Sequence, residues 1–92
     1  MVFKQAQQFC SDLQNALEHY LEIDSDLASA VLDELENMET HLALFPEASP
    51  LTQFPPIRKY LMKRFPYRVR YSLKGNELIL LTLESMSQNK PL

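Results

Sequence analysis

Apolar residues recur along this chain at two different periods, and the change between them falls near the middle. Phe9, Leu13, Ala16, Leu17, Tyr20 and Leu21 recur at spacings of three and four, which places them on one face of a helix over residues 6–21. Neither Gly nor Pro interrupts that stretch. Ile23-Asp24-Ser25-Asp26 breaks the pattern. Asp24 or Ser25 can accept from free backbone N–H groups and start a second helix. Leu27, Val31, Leu32, Leu35, Met38, Leu42 and Leu44 continue at helical spacing as far as Pro46, which cannot donate the helical hydrogen bond and restricts Phe45 before it. So short a break between two amphipathic helices predicts an antiparallel hairpin.

Residues 45–56 carry Pro46, Pro50, Pro55 and Pro56 and read as a loop. Beyond it the period drops to two. Residues 57–64 mix apolar and basic side chains and read as a strand, and Phe65-Pro66 punctuates the chain. Tyr67 to Tyr71 alternates strictly, so Tyr67, Val69 and Tyr71 face one way and Arg68 and Arg70 the other. Lys74-Gly75-Asn76 holds the single Gly of the chain and predicts a hairpin turn. Leu78 to Leu83 is nearly continuously apolar, the pattern of a central strand covered on both faces. A brief strand over Val2–Gln5 precedes the helices, and the residues after Met86 read as a short tail. The expected fold is α+β in the order β-α-α-β-β-β. An N-terminal helical hairpin packs on one face of a small, mainly antiparallel sheet, and Arg68, Arg70 and neighbouring bases occupy the other face.

Ninety-two residues fit one domain, 1–92. Cys10 is the only cysteine, so no disulfide forms within the chain, a reducing compartment fits, and a semi-buried structural thiol is expected. No apolar run reaches the roughly 18 residues of a membrane span. Met1 to Gln8 lacks the basic-then-apolar order of a signal peptide. A cytoplasmic location and no membrane contact are therefore expected. The net charge of −3 conceals a polarity. Residues 1–55 hold ten acids against Lys4, a balance of −9, and residues 56–92 hold eight bases against Glu77 and Glu84, a balance of +6. Such a division suggests a polyanionic or acidic partner for the basic half.

The candidate site residues follow from that half. Arg68 and Arg70 share one strand face, and guanidinium groups clamp phosphate or carboxylate through two donors. Arg58, Lys59, Lys63 and Arg64 form two basic pairs able to meet phosphates without reading sequence; the competing reading is a solvated surface paired with the acidic helices. Tyr67 and Tyr71 share a face with Val69 and belong to the core, with their hydroxyls near the sheet rim. His19 and His41 stand on different helices at no ligand spacing, so no metal is expected. A single Gly rules out a glycine-rich phosphate loop, and no cofactor is expected.

The order of elements and several local motifs resemble the RelE/ParE toxin superfamily. The matching stretches are Asp12-Leu13 with Tyr20-Leu21, Leu27-Ala28 through Leu32-Asp33-Glu34-Leu35, Leu44-Phe45-Pro46, Ile57-Arg58, Lys63 through Tyr71, and the apolar strand Leu78 to Leu83. Together they span nearly the whole chain, and Arg64-Phe65-Pro66-Tyr67 with the alternating strand after it is the most specific part. The resemblance implies the toxin of a type II toxin-antitoxin, or plasmid stabilisation, system. Such a toxin is held inactive by a cognate antitoxin that wraps its helices and sheet, often as a hetero-oligomer. RelE-like members cut mRNA at the ribosome with basic and aromatic groups of the open sheet face, where Arg68 and Arg70 would be the candidates. ParE-like members inhibit DNA gyrase, and the loop and Phe-Pro-Tyr pattern here is closer to them. Many family members place a His after the last strand and an Arg three residues on. Here Ser85 and Gln88 stand at those positions, and no aromatic-bearing tail follows, which favours the gyrase-directed branch or an inactive relative over a ribonuclease.

Overall fold

The computed structural model describes residues 1–86; the expected tail, with Gln88 and Lys90, lies outside the described residues. The elements are β1 (Val2–Gln5), α1 (Gln7–Leu21), α2 (Ser25–Leu44), β2 (Arg58–Leu61), β3 (Tyr67–Lys74) and β4 (Glu77–Ser85). The strands form one sheet in the order β1-β4-β3-β2. β2-β3 and β3-β4 are antiparallel, and β1 joins the far edge parallel to β4. The helical hairpin lies against one face. Phe9 and Ala16 of α1 and Val31, Leu35, Met38 and Leu42 of α2 meet Val69, Tyr71, Leu78, Leu80 and Leu83 there. The α+β architecture and its order are those expected from the two hydrophobic periods.

The punctuation is local chemistry. Of the two residues able to cap α2, Asp24 does so, its Oδ1 accepting from the N–H of Asp26 at 2.9 Å. Pro46 follows the helix, and its carbonyl accepts from the buried Tyr71 hydroxyl at 2.9 Å. Gly75 turns β3 into β4 at φ 61°, the one positive φ among the described residues, a conformation that costs glycine no steric clash.

Two strands differ from their sequence expectation. β2 ends at Leu61 rather than continuing to Arg64. The N–H groups of Lys63 and Arg64 turn toward α2, where both donate to the carboxylate of Glu34, the second at 3.1 Å. A helix side chain thus satisfies backbone that a strand ladder would otherwise take. The apolar run of β4 is not covered on both faces. Arg70 pairs with Thr82 but Tyr71 pairs with Leu80, so Leu81 is an extra residue on β4. The bulge shifts the side-chain phase by one. Leu78 and Leu80 face the core before it and Leu83 after it, while Ile79, Leu81 and Thr82 are half-buried.

Both sheet edges are closed by side chains or loop. β1 pairs with β4 only as far as Gln5 and Leu80. Beyond that point Asp12 of α1 takes the place of a strand: its Oδ2 accepts from the N–H of Leu83 at 3.0 Å and its Oδ1 from the Gln8 amide at 2.8 Å. At the opposite edge Leu51 bridges Arg58, and the Lys59 N–H donates to the Pro50 carbonyl at 3.1 Å. The proline-rich loop therefore covers the outside of β2, which protects an edge that could otherwise pair with another chain.

Two substitutions check this account by the midpoint of urea unfolding. Leu35→Ala empties a buried position at the centre of the hairpin–sheet interface and is expected to cost about 2–5 kcal/mol. Asp12→Ala strands the N–H of Leu83 and is expected to cost about 1–3 kcal/mol, although Asp12 is a polar residue on a helix. An unchanged midpoint in either variant would contradict the packing described.

Candidate functional site

The structure divides the six candidate bases among three places. Paired residues of neighbouring strands share a face, so the register sorts them. Arg58 and Tyr60 pair with Tyr71 and Val69 and take the helix side. The Arg58 guanidinium is spent on the loop, donating to the carbonyls of Ser49 at 2.7 Å and Glu47 at 3.1 Å. Lys59 pairs with Arg70 and Leu61 with Arg68, and these four occupy the open face. Lys63 and Arg64 sit in the β2–β3 connection beside α2, with the Arg64 guanidinium 5.6 Å from the centre of the Phe65 ring. The site that the structure assembles is therefore Lys59, Arg68 and Arg70; Arg58 holds the loop, and the last pair stands apart.

A fourth member, Glu84, was not among the sequence candidates. It lies opposite Arg68 on β4, with Thr82 opposite Arg70. Its carboxylate accepts from Nε of Arg68 at 2.8 Å, from Nε of Arg70 at 3.1 Å through each oxygen, and from the Thr82 hydroxyl at 3.2 Å. Both arginines contact Glu84 through Nε alone. Among the described residues, none accepts from their terminal η nitrogens, and no acid pairs with Lys59. Lys59 and Arg70 lie directly opposite, a like-charge placement that destabilises a strand pair. Thr52 and Gln53 of the loop wall their side of the sheet, forming a shallow pocket of about 260 Å³. The available signal for Glu84 was a lone acid at the end of an apolar strand beside an Arg-x-Arg strand.

Burial alone would raise the pKa of Glu84. The hydrogen bonds from Arg68 and Arg70, the attraction of Arg70 and the Thr82 hydroxyl together outweigh it and hold the carboxyl below its ordinary 4.5. The group is thus ionised at neutral pH.

The remaining candidates lie elsewhere. Tyr71 is fully buried and Tyr67 half-buried, the latter edge-on to Tyr20 at 6.3 Å between ring centres. Ser85 pairs with Tyr67 at the exposed rim on the helix side. Cys10 is exposed rather than semi-buried. His19 packs edge-on to Tyr20, and His41 lies between Phe45 and Tyr60. Among the described residues no group of His, Cys, Asp or Glu is arranged to hold a metal ion, and no helix is long and apolar enough to cross a membrane. A larger groove, about 360 Å³, runs between α2 and the β2–β3 connection past Ala30, Asn37, His41 and Tyr60.

A chain of the chromosomal ParDE TA system from P. aeruginosa superposes on this structure with a TM-score of 0.78, over 92% of this chain and 95% of that one, at 19% sequence identity. The fold is that of the RelE/ParE toxins. A conserved hypothetical protein of Helicobacter pylori shares it, with a TM-score of 0.63 over 96% of this chain and 97% of that one at 24% identity. No protein-family model matches the sequence, and no curated protein does. In this RelE/ParE fold the hairpin covers one sheet face and leaves the Lys59–Arg68–Arg70 face open.

The Glu84 cluster has a pH signature. Its pKa is lower in the folded than in the unfolded chain, so its contribution to stability is complete above the unfolded value and lost as pH falls through the folded one. Glu84→Gln is expected to be less stable than the parent at pH 7, with the gap closing as pH falls below the ordinary 4.5 and through the lower folded value, in urea midpoints measured across the range. A gap independent of pH would show that the carboxylate is not stabilised by the arginines.

Proposed function

We propose that this chain is the toxin of a type II toxin-antitoxin system: a ParE-like inhibitor of DNA gyrase, acting in the cytoplasm and neutralised by a cognate antitoxin in a hetero-oligomer. The observation that carries the reading is the near-full-length superposition on a chain of a ParDE system. The working surface is the open sheet face, where Lys59, Arg68 and Arg70 meet acidic groups of the target or the antitoxin. Lys63 and Arg64 are a secondary contact, and Arg58 acts indirectly through the loop it holds.

The gyrase-directed reading is preferred to ribonuclease action on chemical grounds. Cleaving RNA through its own 2′-hydroxyl calls for a group that removes a proton near neutral pH. Glu84, the carboxylate beside the two arginines, is engaged by two guanidiniums and a hydroxyl, with its pKa depressed, which makes it a poor base; Glu77, also on this face, is paired with Lys4 at 2.9 Å. Ser85 stands where the resemblance places a histidine, and neither His19 nor His41 is on the sheet.

The test is expression of the chain alone and together with an adjacent small reading frame encoding an acidic, helix-rich protein. Growth arrest rescued by that neighbour, with inhibition of gyrase supercoiling by the purified chain, is the expected outcome. Cleavage of ribosome-bound mRNA would replace this reading with the nuclease one. The variant that removes the arginines must also remove their counter-ion, because Arg68→Ala with Arg70→Ala would leave the Glu84 carboxylate half-buried without cations. The triple variant R68A/R70A/E84Q is expected to stay folded and to lose growth arrest. A folded triple variant of full toxicity and normal antitoxin binding would remove the open face from the mechanism.

A further inference from the structure

We propose that Glu84 is a specificity-determining residue of the open face: seated on the Nε edges of Arg68 and Arg70, it denies nucleic-acid phosphates the paired guanidinium surface that the two arginines would otherwise present. The proposal rests on the reading of this face as the working surface. Its test uses purified protein and needs no toxicity, so the two readings can fail separately.

The argument begins with the donors. A guanidinium offers five N–H groups in a planar fork, and a bidentate clamp on phosphate uses two of them side by side. The side-on clamp requires Nε. In both arginines Nε is already committed to Glu84, at 2.8 and 3.1 Å, so only the terminal η pair remains to each. A phosphate reaching those donors also meets the Glu84 carboxylate just behind them.

Charge leads to the same result. Nucleic-acid affinity of the non-specific kind rises with the number of phosphates neutralised, through release of condensed counterions. Arg68, Arg70 and Glu84 together carry +1 rather than +2. Lys4, Lys74 and Glu77 lie on the same face toward its Gly75 end, with Glu77 paired to Lys4. Lys59, Arg68, Arg70 and Glu84 together carry +2, spread over three strands. That suits a few carboxylates at fixed positions on a folded partner and gives little hold on a polyanion.

The acid is held in place rather than merely nearby. Thr82 fixes its second oxygen at 3.2 Å, and the Leu81 bulge is what turns Glu84 to this face. Without the bulge, strict alternation from Leu78 and Leu80 would turn residue 84 toward the helices. A repulsive group built into a binding surface is a recognised route to discrimination between partners.

The experiment measures binding of the full chain to a fluorescein-labelled single-stranded RNA of about 20 nucleotides, by anisotropy, between about 50 and 200 mM KCl. The parent protein is expected to bind weakly, with a log-affinity against log-salt slope no steeper than about −2. Glu84→Gln, close to isosteric, is expected to bind at least about tenfold more tightly at the low-salt end, with the slope steeper by about one. The triple variant R68A/R70A/E84Q is expected to lose that gain, which ties it to the arginines. Circular dichroism verifies folding, and Glu84→Ser, which places a small uncharged hydroxyl at the position, carries the same expectation if Glu84→Gln fails to fold. Three results would overturn the proposal: tight RNA binding by the parent with a slope of about −4 or steeper, no gain in a folded Glu84 variant, or a gain that survives loss of both arginines.

Discussion

Between Arg70 and Tyr71 the register of β3 against β4 slips by one residue, and Leu81 is left without a partner. The meeting of Glu84 and Thr82 with the arginines of the open face follows from that slip. On the Gly75 side of it, Leu78 and Leu80 fill the core beneath the helices. On the other side Leu83 does so, and Thr82 and Glu84 rotate outward to meet Arg70 and Arg68. A strand without the extra residue would keep a single phase. It would send Glu84 into an apolar layer, at the cost of burying an ion, and leave Leu83 exposed among cations. The bulge thus separates packing from charge on a strand whose sequence is almost uniformly apolar.

That uniformity explains what the sequence could and could not disclose. The helices were legible because polar residues fill the positions between their apolar ones, Gln, Asn, Asp and Glu in α1 and mostly acids in α2, so only one phase buries apolar surface. The faces of β3 were legible for the same reason: Arg68 and Arg70 flank Val69, and no other phase keeps two guanidiniums out of the core. β4 offers no such contrast. Leu78 to Leu83 is acceptable in either phase, so the slip at Leu81 has no local signature, and two-sided burial was the natural inference. β2 is ambiguous in a different way. Arg58 and Lys59 are adjacent bases, and one of them must face the helices. Only the carbonyls of Glu47 and Ser49, supplied by the loop, settle that it is Arg58. The length of β2 was equally out of reach, since it ends where Glu34, about thirty residues earlier in the chain, accepts the next two N–H groups.

The acids of the helical half behave in a way that net charge does not reveal. Asp24 and Glu34 are used on backbone N–H groups, and so is Asp12. The ion pairs among the described residues, Lys4 with Glu77 and Glu84 with Arg68 and Arg70, lie within the sheet. No ion pair there joins the acidic hairpin to the basic strands. For Lys59, Arg68 and Arg70 the reason is geometric: the hairpin and the open face lie on opposite sides of one apolar layer, and charges roughly 10 Å or more apart exceed the screening length in physiological salt. On the helix side the Arg58 guanidinium is taken by loop carbonyls, and Lys63 and Arg64 meet Glu34 through their backbone N–H groups.

The division of charge read from the sequence therefore persists as two separate surfaces and is not cancelled by folding. An acidic helical face and a weakly basic sheet face set opposite requirements on whatever covers them. A single polyanion would be drawn to one and repelled by the other, and on the first it meets Glu84. A folded protein, which can present acids to Lys59 and the η groups of Arg68 and Arg70 and bases to the hairpin, satisfies both at once. Electrostatic complementarity of that kind governs association rate and partner choice more than affinity. On this argument the polarity of the chain suits a folded partner of mixed charge better than a single polyanion.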